Sequence, residues 1–486
     1  MKTSTNFFLA LTALALGGCA VGPDYHAPAM DTPAQWSEPL AGGEVPGPQA
    51  DAAWWKNFHD PELDSLIARA VAANLDLKIA ESRLREARAA LGVADAGFGP
   101  SLTAAGSAAR EKASEHQPVL GSLPIPPSVP FTNNVYQAGF DAAWEIDVFG
   151  GTRRAAEAAT ADLAAAEYSR RGALLSLLGE VARNYVETRS YQRRLVIVQE
   201  NIAAQSDALS LSKDRAAKGL TSDLDATQAA ALLATTQAEV PTLESERDAS
   251  IHRLGVLLAQ PPGALRDELA QAAPIPASPA EVPVGLPSEL LLRRPDVRQA
   301  ERELAAQTAR IGVATADLFP KFFLTGTAGW ESVNTGDLFS SGSKIWSVAP
   351  SVQWQLFDSG RIRANIRVQD ARQEQALAHY EQTVLNAFEE VENALIAYAN
   401  EQVRNKSLAQ AVAANQDSLH LANQRYTNGL ASFLDVVDAE RSLYETQDQL
   451  VQSDRTVAVD LIALNKALGG GWEVAPASDA AKVARN

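Results

Sequence analysis

The residue types that most often do chemistry are thinly spread in this chain. Six histidines are scattered over 486 residues without ligand spacing. No G-x-S-x-G, Walker-type or H-E-x-x-H motif occurs. There is a single cysteine, Cys19, so no intramolecular disulfide can form. The acids Asp141, Glu145 and Asp147 recur along one alternating stretch, where carboxylates would act through charge and not as a catalytic pair. No catalytic constellation emerges, and the reading is not that of an enzyme. The net charge of −17 argues against a nucleic-acid partner, because phosphate binding needs a basic face.

Cys19 is explained by what precedes it. Lys2 is followed by an apolar run from Phe7 to Leu16 and then Leu16-Gly17-Gly18-Cys19. Such a run is too short to span a bilayer, and a positive start before it marks an export signal over residues 1–18. A small-small-Cys ending resembles the bacterial lipobox. There the sulfur takes a diacylglycerol, the peptide is cut just before the cysteine, and the freed amine is acylated. Ala20 stands where an Asp would resemble an inner-membrane retention signal, so the expected address is the outer membrane. A body free of cysteine also suits an oxidising compartment. No cofactor is expected beyond this covalent lipid.

The elements that must carry these residues follow from periodicity. Residues 19–60 hold Pro23, Pro28, Pro33, Pro39, Pro46 and Pro48 and read as an extended tether. Asp60-Pro61 is an N-cap with proline at the first helical position. The spacing predicts one amphipathic helix from there to near Gly97. The period then falls to two. Tyr136, Ala138, Phe140, Ala142, Trp144 and Ile146 share one face, and Gln137, Gly139, Asp141, Ala143, Glu145 and Asp147 the other. Such alternation with aromatics near both ends suits a membrane β-barrel strand, and a hairpin is expected over 101–147. A helix from about Thr152 to Ala217 carries Leu174, Leu178, Val181 and Tyr185 at coiled-coil spacing, and a further helix runs from about Ser222 to Leu258.

The programme then restarts. Five prolines from Pro274 to Pro287 mark a connector within 261–287. A second repeat over 288–468 follows the first over 61–260, leaving a tail over 469–486. Its hairpin is expected over 322–357, with Trp346, Val348, Pro350, Val352, Trp354 and Leu356 on one face. Val384, Phe388, Val391, Leu395 and Tyr398 repeat the seam. The bend Gln424–Leu443 is echoed by Lys218–Asp225. The chain is a tandem duplication.

Each half supplies two strands, so one chain supplies four. Strands in lipid must close to satisfy their backbone groups. Two copies give an eight-stranded barrel that side chains fill, whereas three give twelve strands and a useful lumen. The fold class is therefore mainly α with a membrane β-barrel, continued by long coiled-coil helices of roughly 100 Å. Trp144, Trp346 and Trp354 are candidates for an interfacial girdle in contact with outer-membrane lipid. The loops 111–134 and 332–344 are expected outside the cell. Asp141, Glu145 and Asp147 are expected to give the lumen an acidic lining.

Several motifs together carry a family resemblance over nearly the whole chain. They are the lipobox, W-W-x-x-F-x-D-P-x-L, R-R-P-D-V-R-x-A-E-R-x-L (Arg293 to Leu304), F-P-x-x-x-L-T-G (Phe319 to Gly326), L-F-D-x-G-R-I-R (Leu356 to Arg363) and S-F-L-D-V-V-D-A-E-R-S-L in the second bend. The chain resembles the lipoprotein, NodT-type branch of the TolC-like outer-membrane factors. That resemblance implies a homotrimer with a twelve-stranded barrel, an α-helical barrel in the periplasm and an equatorial collar. It also implies docking to a periplasmic adaptor protein and an inner-membrane RND-type efflux pump.

The resemblance further implies roles at the helical tips. Leu434 and Asp438 match positions that converge on the threefold axis and close the resting channel. Coiled-coil packing for Leu434, and a local pair with Arg441 or Arg425 for Asp438, are the plainer alternatives. Tyr426 and Arg441 match a latch to the neighbouring hairpin, with Arg425 beside them, while Thr427 stands where some relatives carry a second arginine. Gln228 is the first-repeat counterpart of Asp438, so the two bends differ. The function implied is a passive exit duct for small molecules. A type I protein-secretion duct, or a structural envelope lipoprotein, would be the alternatives.

Overall fold

The computed structural model describes residues 20–37, 44–45, 53–112, 114, 132–279 and 282–472. Cys19, the signal region and most of loop 111–134 lie outside the described residues. The helices are α1 (Pro61–Ala73), α2 (Leu75–Asp95), α3 (Gly151–Ala217) and α4 (Asp223–Leu257) in the first half. The second half has α5 (Pro287–Arg293), α6 (Pro295–Ala316), α7 (Arg361–Thr427) and α8 (Phe433–Ala467). The strands are β1 (Ser101–Lys112), β2 (Thr132–Ile146), β3 (Lys321–Ser332) and β4 (Lys344–Gln353). Helices α3 and α7 are each 67 residues long, and α4 and α8 each 35. Among the described residues no helix is long and apolar enough to cross a membrane.

Two compact units share the chain. One comprises Met1–Pro28, Arg85–Ala164 and Glu301–Ala378, and the other Ala29–Leu84, Ala165–Ala300 and His379–Asn486. The first unit holds the sheet, four antiparallel strands in the order β1-β2-β3-β4. Its register decides which side chains share a face. Leu102 pairs with Ala142, Ala142 with Gly326, and Gly326 with Val348. Ala104, Phe140, Ala328 and Trp346 form the next such row. Because side chains alternate along a strand, one face carries an apolar band with aromatics, bounded toward the loops by Arg110, Lys112 and Lys344. The other carries Ser107, Gln137 and Glu331, then Thr103, Asp141, Thr327 and Ser347. The edges of the sheet, β1 and β4, each have one unpaired side.

The second unit holds the main core. Leu174, Leu178, Val181 and Tyr185 of α3 are buried with Val384, Val391, Leu395 and Tyr398 of α7, so the two predicted seams meet in one cluster. Trp54, Trp55 and Phe58 join it from a short 3-10 turn, as do Leu63, Leu66 and Ile67 of α1. The cap predicted at Asp60 is present, with Oδ1 accepting from the Glu62 and Leu63 amides at 2.9 and 3.1 Å. Its other oxygen accepts the Tyr185 hydroxyl at 2.7 Å, tying the cap to α3. Residues Glu44–Val45 pair in parallel with Val282–Pro283, joining the tether to the proline-rich connector.

Three boundaries differ from those expected. The single helix predicted over 61–97 is two helices, broken at Asn74. The Asn74 side chain accepts from the Leu77 amide at 2.9 Å and donates to the Leu257 carbonyl at 2.9 Å, which makes the break a junction. Arg294, 220 residues later and between α5 and α6, repeats the donation alone, to the Ala467 carbonyl at 3.1 Å. The second hairpin, expected to 357, ends at Gln353. There Asp358 folds back to accept from the Gly360 and Ile362 amides at 2.9 and 2.8 Å, starting α7. Finally, residues 20–28 of the expected free tether are docked on the sheet-bearing unit.

Candidate functional site

Two surfaces carry the residues singled out by sequence, the sheet and the tips of the helical hairpins. On the polar face of the sheet, Asp141 accepts the Thr327 hydroxyl at 2.8 Å, and Gln137 donates to Glu331 at 2.7 Å. Glu145 lies on the same face, paired with Phe323 in the register. Asp147 does not belong to that face. It lies one residue beyond β2, accepts the Arg153 amide at 2.9 Å and pairs with the Arg153 guanidinium at 3.3 Å, so it caps the start of α3. The carboxylate is spent on orphan helix donors.

The tryptophans divide in the same way. Trp144 donates its indole N–H to the Phe98 carbonyl at 3.0 Å, and Trp354 donates to the Leu318 carbonyl at 3.0 Å. Each sits at the foot of its hairpin against the end of the preceding helix, and the duplication has preserved the bond. Trp354 lies just beyond β4, not within it. Trp346 lies toward the other end of β4 and is 80% exposed on the apolar face. Eight residues at about 3.3 Å each separate Trp346 from Trp354 by roughly 26 Å along the chain, close to the height of a membrane strand before tilt.

At the tips, the two bends have one geometry. Gly219 (φ +72°) and Gly429 (φ +74°) adopt the left-handed conformation that ends α3 and α7. The following leucines donate back five residues, Leu220 to the Arg215 carbonyl at 2.9 Å and Leu430 to Arg425 at 2.8 Å. Ser222 and Ser432 then cap α4 and α8, the latter with Asp435 accepting the Ser432 amide at 2.8 Å. Leu434 is 50% exposed on the first turn of α8, without a place in any core cluster. Asp438 follows on the same side of that helix and forms an exposed ion pair with Arg441 at 2.9 Å.

The expected latch residues point elsewhere than to hydrogen bonds across hairpins. Arg441 is held by Asp438 of its own helix, and Arg425 reaches the Leu430 carbonyl of its own bend at 3.5 Å. Tyr426 does engage the other hairpin, through its ring. Its ring is buried beside Phe433, with centroids 5.4 Å apart, and the Arg215 guanidinium of α3 lies 4.7 Å over it. Among the described residues the Tyr426 hydroxyl has no hydrogen-bond partner. The Thr427 hydroxyl faces the Asn423 and Gln424 carbonyls of its own helix, at 2.9 Å each.

Sequence reasoning missed the polar links that do join the hairpins. Arg194 of α3 grips Asp448 of α8 at 2.6 and 3.2 Å. The Tyr444 hydroxyl of α8 donates to Glu239 of α4, and burial with that carboxylate pushes the phenol well above its usual range. Near the tip, Glu440 is buried on α8 and its carboxyl is pushed up by burial. Further along α8, burial raises Asp460 to about 6, with Glu401 adding and Arg455 opposing. Partners more than 200 residues apart leave no local spacing to read.

The family model described as outer membrane efflux protein matches residues 66–260 and 286–470, one segment in each half. The chain is 34% identical to nodulation protein T of Rhizobium leguminosarum bv. trifolii, over 97% of each. It is 32% identical to the antibiotic efflux pump outer membrane protein ArpC of Pseudomonas putida, over 97% of this chain and 96% of that one. Among solved structures it is similar to the outer-membrane channel OprN, with a TM-score of 0.87 and 36% identity, over 93% of this chain and 100% of that one.

Proposed function

This chain belongs to the outer membrane efflux protein family, and from that premise we propose that three copies form the lipid-anchored exit duct of a tripartite efflux system. It is an outer-membrane efflux channel reaching into the periplasm. The observation that carries the trimer is the sheet. Four strands present one apolar face, one polar face and two unpaired edges, and lipid does not tolerate open edges. Joining β4 of one copy to β1 of the next removes every edge, and three copies give twelve strands around a lumen lined by the polar face.

The helices support the same assembly. Leu385, Ile396, Val403 and Leu421 of α7 are all exposed. At about 100° per residue they fall within roughly 20° of one another, on a stripe shared with Glu392 and Gln410. A neighbouring copy packs on this mixed stripe. In the closed duct the three copies of Leu434 meet at the tip and exclude water, and the three Asp438 carboxylates repel anions. Arg194–Asp448, Tyr444–Glu239 and Arg215–Tyr426 hold the hairpins in that state.

Cys19 carries the lipid. A periplasmic adaptor and an inner-membrane RND-type pump complete the system and choose the cargo. The relative ArpC is named for antibiotic efflux, which supports small molecules as the transported class. Cysteines scanned in pairs along β1 and β4 test the assembly. Crosslinking that ends at a covalent trimer is expected, whereas a ladder stopping at dimer or running past trimer would reject it.

A further inference from the structure

The first described residues are held with unusual care. The Val21 amide donates to the Phe149 carbonyl at 3.1 Å. Arg154, buried at the start of α3, donates from Nε to the Val21 carbonyl at 3.1 Å and from one Nη to the Gly22 carbonyl at 3.4 Å. That same Nη meets the Asp24 carboxylate at 2.6 Å, and the other meets Glu157 at 2.8 Å. The planar guanidinium thus spans two backbone carbonyls and two carboxylates, a set of directions that a lysine ammonium cannot reproduce. Gly22 adopts φ +90°, and a Cβ there would run into the Gly312 backbone of α6. A Cβ on Gly150 would likewise strike Ala20. The Phe149 ring is stacked on Phe319 at 4.7 Å and lies 6.5 Å from Phe322, at the foot of β3.

We propose that Arg154 is a positioning residue for the membrane anchor, fixing residues 20–24 on the β2–α3 junction so that the acyl chains enter lipid beside the foot of the sheet. The proposal rests on the lipidation of Cys19 put forward above. Consecutive Cα atoms are about 3.8 Å apart, so the clamp acts within a few residues of the proposed lipidation. A free proline-rich tether would leave the acyl chains anywhere within its reach. The clamp instead turns insertion of an apolar sheet into a local event, at the high effective concentration of a short link.

The test compares four full-length chains in cells: wild type, Arg154→Ala, Arg154→Lys, and a chain with about twelve glycine and serine residues inserted after Ala20. That insertion gives the lipid roughly 20 Å of leash while leaving Val21, Gly22 and Asp24 for the clamp. Palmitate labelling reports acylation, and SDS-resistant oligomer in the outer-membrane fraction reports insertion. All four chains are expected to label as wild type does. Both Arg154→Ala and the insertion should lower the oligomer severalfold, and Arg154→Lys should resemble Arg154→Ala. An insertion chain that assembles as wild type would overturn the proposal even if Arg154→Ala misfolds, because Arg154 would then only stabilise the fold. A wild type that takes up no palmitate would remove the lipid reading itself, and the clamp's purpose with it.

Discussion

Arg194 of α3 and Asp448 of α8 lie 254 positions apart and form a two-point ion pair at 2.6 and 3.2 Å, both side chains about one-fifth exposed. Because α3 and α8 belong to different halves of the duplication, the pair ties the two hairpins of one protomer together. Asp448→Ala breaks both bonds and leaves the guanidinium unpaired, at a cost of roughly 1–3 kcal/mol. The expected outcome is a more open tip, read as higher unitary conductance and greater sensitivity to bulky antibiotics. Adding Tyr444→Phe, which removes the bond to Glu239, should deepen the effect. Conductance unchanged in the double variant would reduce both links to ordinary packing.

The ring at the tip makes a separate claim. Leu434 is half exposed in one protomer and Asp438 forms an exposed pair with Arg441. Truncating both to Ala costs the protomer little, since neither fills a core and exposed ion pairs contribute at most about 1 kcal/mol. A severalfold rise in conductance with an unchanged melting temperature is therefore expected. A lower melting temperature without extra conductance would place Leu434 in packing and not in the gate.

Asp460 predicts a pH dependence of stability. Burial and Glu401 raise its carboxyl from 3.8 to about 6, against Arg455. Between those values the folded chain holds a proton that the unfolded chain has released, so stability falls as pH rises from about 4 through 6 and levels off above. Asp460→Asn removes that slope and should stabilise the protein by roughly 2 kcal/mol at neutral pH. Melting curves from pH 4 to 8 check it. Parallel profiles for the two proteins would show that the carboxylate is not desolvated in the assembly.

The duplicated tryptophan bonds should have matched effects. Trp144→Phe and Trp354→Phe each delete one indole bond, to Phe98 and Leu318, worth about 1 kcal/mol. Each should lower the temperature at which the SDS-resistant oligomer dissociates by a similar amount. Trp346→Phe should leave it unchanged, while losing the fluorescence that brominated lipids quench in the wild type.

Much of the architecture was legible because it is periodic. The seam residues Leu178 and Val391 are found in the core, and the alternation from Tyr136 to Ile146 is the apolar face of β2. Periodicity says less about where an element stops. Trp354 and Leu356 continue the alternation past β4, but the Asp358 side chain offers the α7 amides a better partner than the next strand rung. Asp147 left its predicted face for the same reason, and Asn74 split a helix whose apolar spacing runs on unbroken. At the tips, the Tyr426 ring lies under Arg215, a contact no local spacing announces, while the Asp438–Arg441 pair was readable from a separation of three on one helix. Arg194 and Asp448 were illegible, since nothing local relates residues on helices of different repeats.

The central claim is that three copies of this chain make a conducting duct closed at its helical tips. Planar-bilayer recording from the purified, acylated protein tests it most directly. Small unitary currents are expected from the wild type, rising severalfold when Leu434 and Asp438 are both replaced with Ala. An oligomer that inserts yet passes no current in either form would contradict the account.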